Sequence, residues 1–286
     1  MIVVPAAFAY ERIHKSGDAG RRWIATLPDL ISQLCERWQV DLVDSDPLYG
    51  DLALVVLGHR REERCVLKVS WQEHSTLDET VALRTWKGNG AVRLLDASLE
   101  DSALLLERLD PARWLETLDL LAAAEIAGGL IRRLAIPAPA GLPLLAELAE
   151  QTAMLVPRRQ ESLGNPLPRR WIDLAVEHAR DLAVAVGTSL VHADLHYGKI
   201  LAGLRQPWLV IDPRALAGDP ERSVPELMWW RLDEAERAAD VRALLDVLVS
   251  AGELDRDKAE AWTIVRAVDY WLWCLSAGLT EDPVRC

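Results

Sequence analysis

His192, Asp194 and His196 alternate just beyond an apolar run. Asp212 closes a second one, Trp208-Leu209-Val210-Ile211. Alternate residues on a strand share a face, so the first three are expected to point the same way. An acid at the end of each of two neighbouring strands suits phosphoryl transfer. One carboxylate accepts or orients the proton of an attacking hydroxyl, and the other holds magnesium on the nucleotide phosphates. A lysine on a strand is the remaining requirement. Lys68 sits within Cys65-Val66-Leu67-Lys68-Val69, where an ammonium among apolar residues is costly without a partner. Glu79, on the next helical stretch, is the expected partner, and the pair would present the lysine to phosphates. A hydrolase metal site built from His192, Asp194 and His196 is the competing reading. It is disfavoured by ligand supply: of six histidines, His59 and His74 lie far away in the N-terminal half. His192 and His196 are therefore read as structural hydrogen-bonding residues.

The elements that must position these groups fall into two sets. Residues 28–38 carry apolar positions at helical spacing, with Pro28 suited to a first turn. Residues 51–57 and 65–69 read as a hairpin around a polar turn at 58–63. A helix over 77–86, closed by Gly88-Asn89-Gly90, and strands over 91–96 and 103–108 follow. Beyond Leu109-Asp110-Pro111 the character turns helical, with helices expected over 116–134, 142–155, 170–186, 224–249 and 255–277. Gly187 is a candidate helix stop. Strands are expected here at 189–192 and 208–211. The reading is α+β, with a strand-rich N-terminal lobe over 1–109, a helical C-terminal lobe over 110–286, and a ligand cleft between them.

Composition narrows the function further. A chain of 286 residues with 50% apolar content can bury a core. Its formal charge of −12 argues against nucleic acid, whose phosphates need a basic face. The same charge suits a cationic substrate, or serves solubility alone. The four cysteines are scattered without metal-ligand spacing. Cys35 and Cys65 read as core thiols, and a reducing cytoplasm fits. The apolar first ten residues have no basic residue ahead of them, so no signal peptide is expected. No apolar run reaches the length of a membrane helix.

The ordered motifs resemble those of the aminoglycoside phosphotransferase superfamily, in the branch of streptomycin 6-phosphotransferases and hydroxyurea-type resistance kinases. The branch pattern His-Gly-Asp-Leu-His-x-x-Asn reads here as His192-Ala193-Asp194-Leu195-His196-Tyr197-Gly198-Lys199. Pro-Trp-Leu-x-Ile-Asp-Pro-Lys reads as Pro207-Trp208-Leu209-Val210-Ile211-Asp212-Pro213-Arg214, and Gly-Asp-Pro as Gly218-Asp219-Pro220. Val66 to Trp71, Glu79 with Ala82-Leu83, Leu104 to Leu109, and Gly20-Arg21-Arg22-Trp23 running into Leu27-Pro28 and Trp38 also match, so the likeness spans roughly 17–277.

The resemblance implies a bilobal protein-kinase-like fold and ATP-dependent phosphorylation of a hydroxyl on a small antibiotic-like molecule. That molecule would be a streptomycin-type aminoglycoside or a hydroxyurea-like compound. The resemblance also implies that Asp194 is the catalytic carboxylate and that Asp212 binds Mg2+. Lys68, held by Glu79, would contact the phosphates, and the backbone around Glu107 to Leu109 would form the hinge against the purine. Asp219 would brace the catalytic loop.

Lys199 departs from the pattern, because the branch has there an asparagine that serves as a second magnesium ligand. A lysine cannot ligate magnesium and repels it, which leaves Asp212 as the one protein ligand from these motifs. Lys199 is expected to pair with phosphate or swing out to solvent, and to lower activity. A pseudokinase that binds without efficient transfer is the alternative it raises. Ala193 for Gly matters only where a positive φ is needed. Arg214 for Lys keeps the charge. The loop Tyr49-Gly50-Asp51-Leu52 has a single glycine and puts Asp51 near phosphate unless it points away. Trp262, Arg266, Asp269 and Trp273 read as a packed helix face more than a platform for a substrate ring, and Asp233, Glu234 and Glu236 as a solvated face.

Overall fold

The structure, a computed structural model, describes residues 2–71, 76–235 and 237–279. The chain divides into two units, 1–88 with 92–109 and 89–91 with 110–286.

In the first unit α1 (Ala6–Trp38) leads into β1 (Val40–Leu42), β2 (Leu48–Tyr49), β3 (Ala53–Arg60), β4 (Glu63–Ser70), α2 (Thr76–Trp86), β5 (Leu94–Ser98) and β6 (Ala103–Glu107). The strands form one antiparallel sheet in the order β1-β3-β4-β6-β5, with β2 pairing β3. The two-residue alternation of β4 sends Cys65, Leu67 and Val69 into a core with Leu54, Val56, Ala103 and Leu105. Phe8, Leu27, Ile31, Leu34 and Trp38 of α1 join the same core. Lys68 therefore belongs to the opposite face from that core.

Two expectations are corrected here. The helix expected over 28–38 starts far earlier and kinks at Gly17 (φ 56°), so Pro28 lies inside it. The polar segment 58–63 is mostly strand, with Gly58 paired to Cys65 and Arg61 at φ 58° in the turn. Gly58 serves a close approach: a Cβ there would meet Val40 Cγ1 at 2.6 Å and the Asp41 carbonyl at 3.0 Å.

The second unit contains β7 (Asp110–Trp114), α3 (Leu120–Leu134), α4 (Leu145–Ser162), α5 (Arg169–Val184), β8 (Ser189–His192), β9 (Ile200–Ala202), β10 (Trp208–Val210), β11 (Ala215–Gly218), α6 (Pro225–Trp229), α7 (Ala238–Gly252) and α8 (Arg256–Ser276). Helices α4, α5 and α8 enclose a core of Leu145, Ala149, Ala179, Leu182, Trp262 and Val265, with Val191 of β8 and Leu216 of β11. The helix expected over 116–134 begins only at Leu120, because the Asp119 side chain accepts from the N–H groups of Leu121 and Ala122 and caps it. The helix expected over 224–249 is two helices, α6 and α7. Gly187 does not stop α5, which is capped at Ala185. Among the described residues, no helix is long and apolar enough to cross a membrane. His74 and Glu236 lie outside the described residues.

Candidate active site

The two aspartates singled out from the sequence come together, although not by strand pairing. Strand β8 pairs with β11, whereas β10 pairs with β9 and β7 completes that sheet. Asp194 follows β8 and Asp212 follows β10, so they descend from different sheets rather than from neighbouring strands. Nor do His192, Asp194 and His196 share a strand face, because β8 ends at His192 and the chain turns at 193–194.

Lys199 joins the two acids. It ends a single 3-10 turn, Tyr197–Lys199. Its Nζ donates to Asp194 Oδ2 at 2.5 Å and to the Asp212 carbonyl at 3.2 Å, and lies 3.0 Å from Asp212 Oδ2. An ammonium has three N–H donors, and here three oxygens receive them. The lysine side chain is 14% exposed, against 43% for Asp194 and 34% for Asp212. Lys199 thus does not swing out to solvent. Burial alone would lower its pKa, but Asp212 and Asp194 outweigh that and raise it. Burial likewise works to raise the Asp194 pKa, but Lys199 prevails and holds it below the usual carboxylate value. Both shifts favour the charged pair.

The backbone supports this contact from both sides. Ile211 N–H donates to the Lys199 carbonyl at 2.9 Å, and Asp212 is in the left-handed region at φ 50°. That conformation is uncommon for a residue with a Cβ and costs on the order of 1–3 kcal/mol, a pattern concentrated at functional sites. Here it accompanies a carboxylate and a carbonyl of one residue that both meet one ammonium. Ala193 has no positive φ, so the change from glycine carries no strain.

The two histidines differ in how they are held. The Asp194 N–H donates to His192 Nδ1 at 3.3 Å, which leaves Nε2 to donate to the Ile211 carbonyl at 3.2 Å. His192 therefore ties the residue before Asp212 to Asp194 itself. With both ring nitrogens so engaged, it is not a metal ligand, and the hydrolase reading loses a member of its set. Burial holds its pKa down at about 3. His196 stacks on Trp230, with ring centroids 3.6 Å apart, and burial lowers its pKa to about 4.

Lys68 and Glu79 form the expected pair in the first unit. The ammonium donates to both carboxylate oxygens, at 2.9 and 2.8 Å, with the lysine side chain 8% exposed and the glutamate 0%. Glu107 ends β6; its side chain accepts from Arg93 N–H at 2.7 Å, its own N–H donates to the Arg93 carbonyl, and Leu109 lies beyond the strand. The Asp51 carboxylate points to Lys15 at 2.6 Å and its carbonyl to Arg12. Asp219 is buried and accepts at Oδ1 from Gly187 N–H at 2.8 Å and Lys258 at 2.7 Å. Its brace thus reaches the residue two before β8 rather than the loop after it.

Sequence reasoning missed the support beneath the loop. Arg222 grips Glu226 through two hydrogen bonds, Arg266 adds two more to Glu226 and continues to Asp269, and Asp269 meets Arg159. The i,i+4 spacing of Arg222 and Glu226 was a readable signal. Trp230 and Arg231 were also missed; the first stacks on His196 and the second lies over the Tyr197 ring at 5.6 Å. Trp230 keeps helical dihedrals (φ −57°, ψ −34°), whereas Arg231 leaves them (φ −127°, ψ 36°) just past the end of α6. Trp262 is core, and Tyr270 is stacked between Trp229 and Trp273, in line with a packed face. Asp233 and Glu234 are exposed, Glu234 pairing with Arg231.

Comparison with known proteins identifies the family. The aminoglycoside/hydroxyurea antibiotic resistance kinase family matches residues 37–278. A streptomycin 6-kinase of Streptomyces glaucescens is 36% identical, covering 99% of this chain and 94% of that protein. A hydroxyurea phosphotransferase of Kitasatospora aureofaciens is 36% identical, covering 100% and 84%. Among solved structures, the aminoglycoside phosphotransferase APH(4)-Ia in ternary complex with ADP and hygromycin B superposes with a TM-score of 0.59 at 17% identity, covering 88% of this chain and 93% of that one. That likeness is one of fold.

Proposed function

Because the chain belongs to the aminoglycoside/hydroxyurea antibiotic resistance kinases, we propose that it transfers the γ-phosphoryl group of ATP to a hydroxyl of streptomycin or a related aminoglycoside, or of hydroxyurea. The observation that carries the site assignment is the convergence of Asp194 and Asp212 on one ammonium, at 2.5 and 3.0 Å.

In this reading Asp194 receives the acceptor hydroxyl. Its Oδ2 is taken by Lys199, and its half-exposed carboxylate leaves Oδ1 to meet the hydroxyl proton. A carboxylate held below its usual pKa is a weak base. Asp194 therefore serves mainly to orient the hydroxyl and takes the proton late, which suits a loose phosphoryl-transfer transition state. Lys68, fixed by Glu79, contacts the nucleotide phosphates, and the backbone from Glu107 to Leu109 lies against the purine. His192 holds the loop in place.

The donor set fits magnesium carried in on the nucleotide, with the partly exposed Asp212 carboxylate as its protein ligand. Bound there, magnesium would neutralise charge on the phosphates. A reading in which the chain binds without transfer draws no support from relatives named for the transfer they perform.

The test is Asp194→Asn, assayed as ATP-dependent phosphorylation across a panel containing streptomycin and hydroxyurea. Expected is a loss of turnover of at least about 100-fold, the lower range for a positioned general base, with AMP-PNP affinity retained by calorimetry. Turnover at the wild-type rate would remove Asp194 from the chemistry, and a panel without a substrate for the wild-type chain would remove the proposed acceptors.

A further inference from the structure

In the protein kinases one magnesium is held by the aspartate after the second strand pair and another by an asparagine of the catalytic loop. Position 199 carries the loop's last motif residue here, and it is a lysine. Its side chain neither turns away nor points to open solvent. It enters the space between the two aspartates and spends all three N–H donors on Asp194 Oδ2, Asp212 Oδ2 and the Asp212 carbonyl. These are hard oxygens, of the kind a divalent cation takes as ligands. They are also held for this purpose by the left-handed backbone at Asp212 and by the Ile211 to Lys199 hydrogen bond.

We infer that the Lys199 ammonium stands in for one divalent cation, so that the nucleotide-loaded site takes up a single divalent ion where an asparagine at this position would admit two. The inference rests on the phosphotransferase reading and refines it. One positive charge already lies against the two carboxylates, and a second metal ion in the same place would have to displace an ammonium with three satisfied hydrogen bonds. Asp212 is a third exposed, so its carboxylate stays within reach of an ion that enters on the nucleotide. Lys199 is thus a positioning residue: it fixes the separation of the two acids without waiting for an ion to do so.

The experiment counts manganese ions bound to the full chain saturated with AMP-PNP, read from the loss of the free Mn2+ electron paramagnetic resonance signal, for wild type, Lys199→Asn and Lys199→Arg. Expected is one ion per chain in wild type, two in Lys199→Asn, and one in Lys199→Arg, which keeps the charge. Two ions in wild type overturn the inference, because the lysine then yields to metal. One ion in both wild type and Lys199→Asn also overturns it, because the lysine then excludes nothing. AMP-PNP binding, measured in the same samples, reports that each variant is folded. If wild type fails to bind AMP-PNP, the phosphotransferase reading falls and the inference with it, whereas bound AMP-PNP with two ions removes the inference alone.

Discussion

Lys68 and Lys199 are both lysines held by carboxylates, and the two arrangements differ in almost every physical respect. Lys68 extends from the middle of a sheet strand to a glutamate on a helix, and both partners are out of water. Lys199 ends a single turn just before β9 and serves two aspartates that remain one-third or more exposed. In the first case the carboxylate exists to hold the cation, since an ammonium buried opposite Leu104 would otherwise be prohibitively desolvated. In the second the cation exists to hold the carboxylates, which are the groups proposed to meet substrate and metal. One chemical pair therefore performs opposite tasks, and burial decides which partner is the fixed one.

The contrast can be broken by measuring what each lysine contributes. Lys68→Ala strips the ammonium from a fully buried glutamate, and urea unfolding is expected to show a loss of about 3–5 kcal/mol. The double variant Lys68→Met with Glu79→Leu should recover much of that stability, because apolar replacement of a buried pair is often neutral, while leaving ATP turnover impaired. Recovered turnover would mean that Lys68 only supports the sheet.

The next effect in size is acidification. His192 has its pKa depressed from 6.5 to about 3 in the fold, so the unfolded chain binds a proton that the folded chain refuses. The stability from this group is complete above pH 6.5 and is lost as pH falls toward 3. Between pH 6.5 and 4.5 the loss should be on the order of 2–3 kcal/mol, and His192→Gln should flatten this part of the profile. An unchanged slope in the variant would assign the loss to other groups.

Lys199→Ala is expected to cost only about 1 kcal/mol, since its exposed aspartates can rehydrate. A cost equal to that of Lys68→Ala would abolish the distinction. Trp230→Ala removes the ring stacked on His196 and should cost about 1 kcal/mol, seen as a small fall in melting temperature.

These differences also mark what could be read from sequence. Asp194, Asp212 and Lys68 were legible because each is a charge placed against apolar neighbours just past a strand or within one, where chance placement is expensive; Glu79 was legible as the partner that Lys68 needs from the next helix. The alternation of His192, Asp194 and His196 misled, since period-two spacing has meaning only while the strand continues, and β8 stops at His192. The placement of Lys199 was illegible for a related reason. It depends on β9 and β10 folding back on each other, and neither β9 nor its pairing has a pattern of its own in three residues. The break at Asp119 follows from a cap, which overrides helical periodicity. Gly58 was taken for a turn residue because a glycine that permits a close approach looks the same in sequence as one that permits a bend.

The β9–β10 hairpin has one further consequence. Ile200 is paired with Val210, one residue after Lys199 and two before Asp212. The strand register therefore acts as a ruler for the interval between lysine and acid, and a slip of a single pair would shift it by about 3.4 Å, more than the contact itself measures. The ruler is locked at its far end by Gly203, where any Cβ would fall 2.6 Å from Leu209 Cδ1 and 2.9 Å from the Gln206 carbonyl. Between them Leu204 is 87% exposed. Substitution of Leu204 at the tip of this hairpin is cheap, whereas an insertion or deletion within its arms recalibrates the active site from a distance.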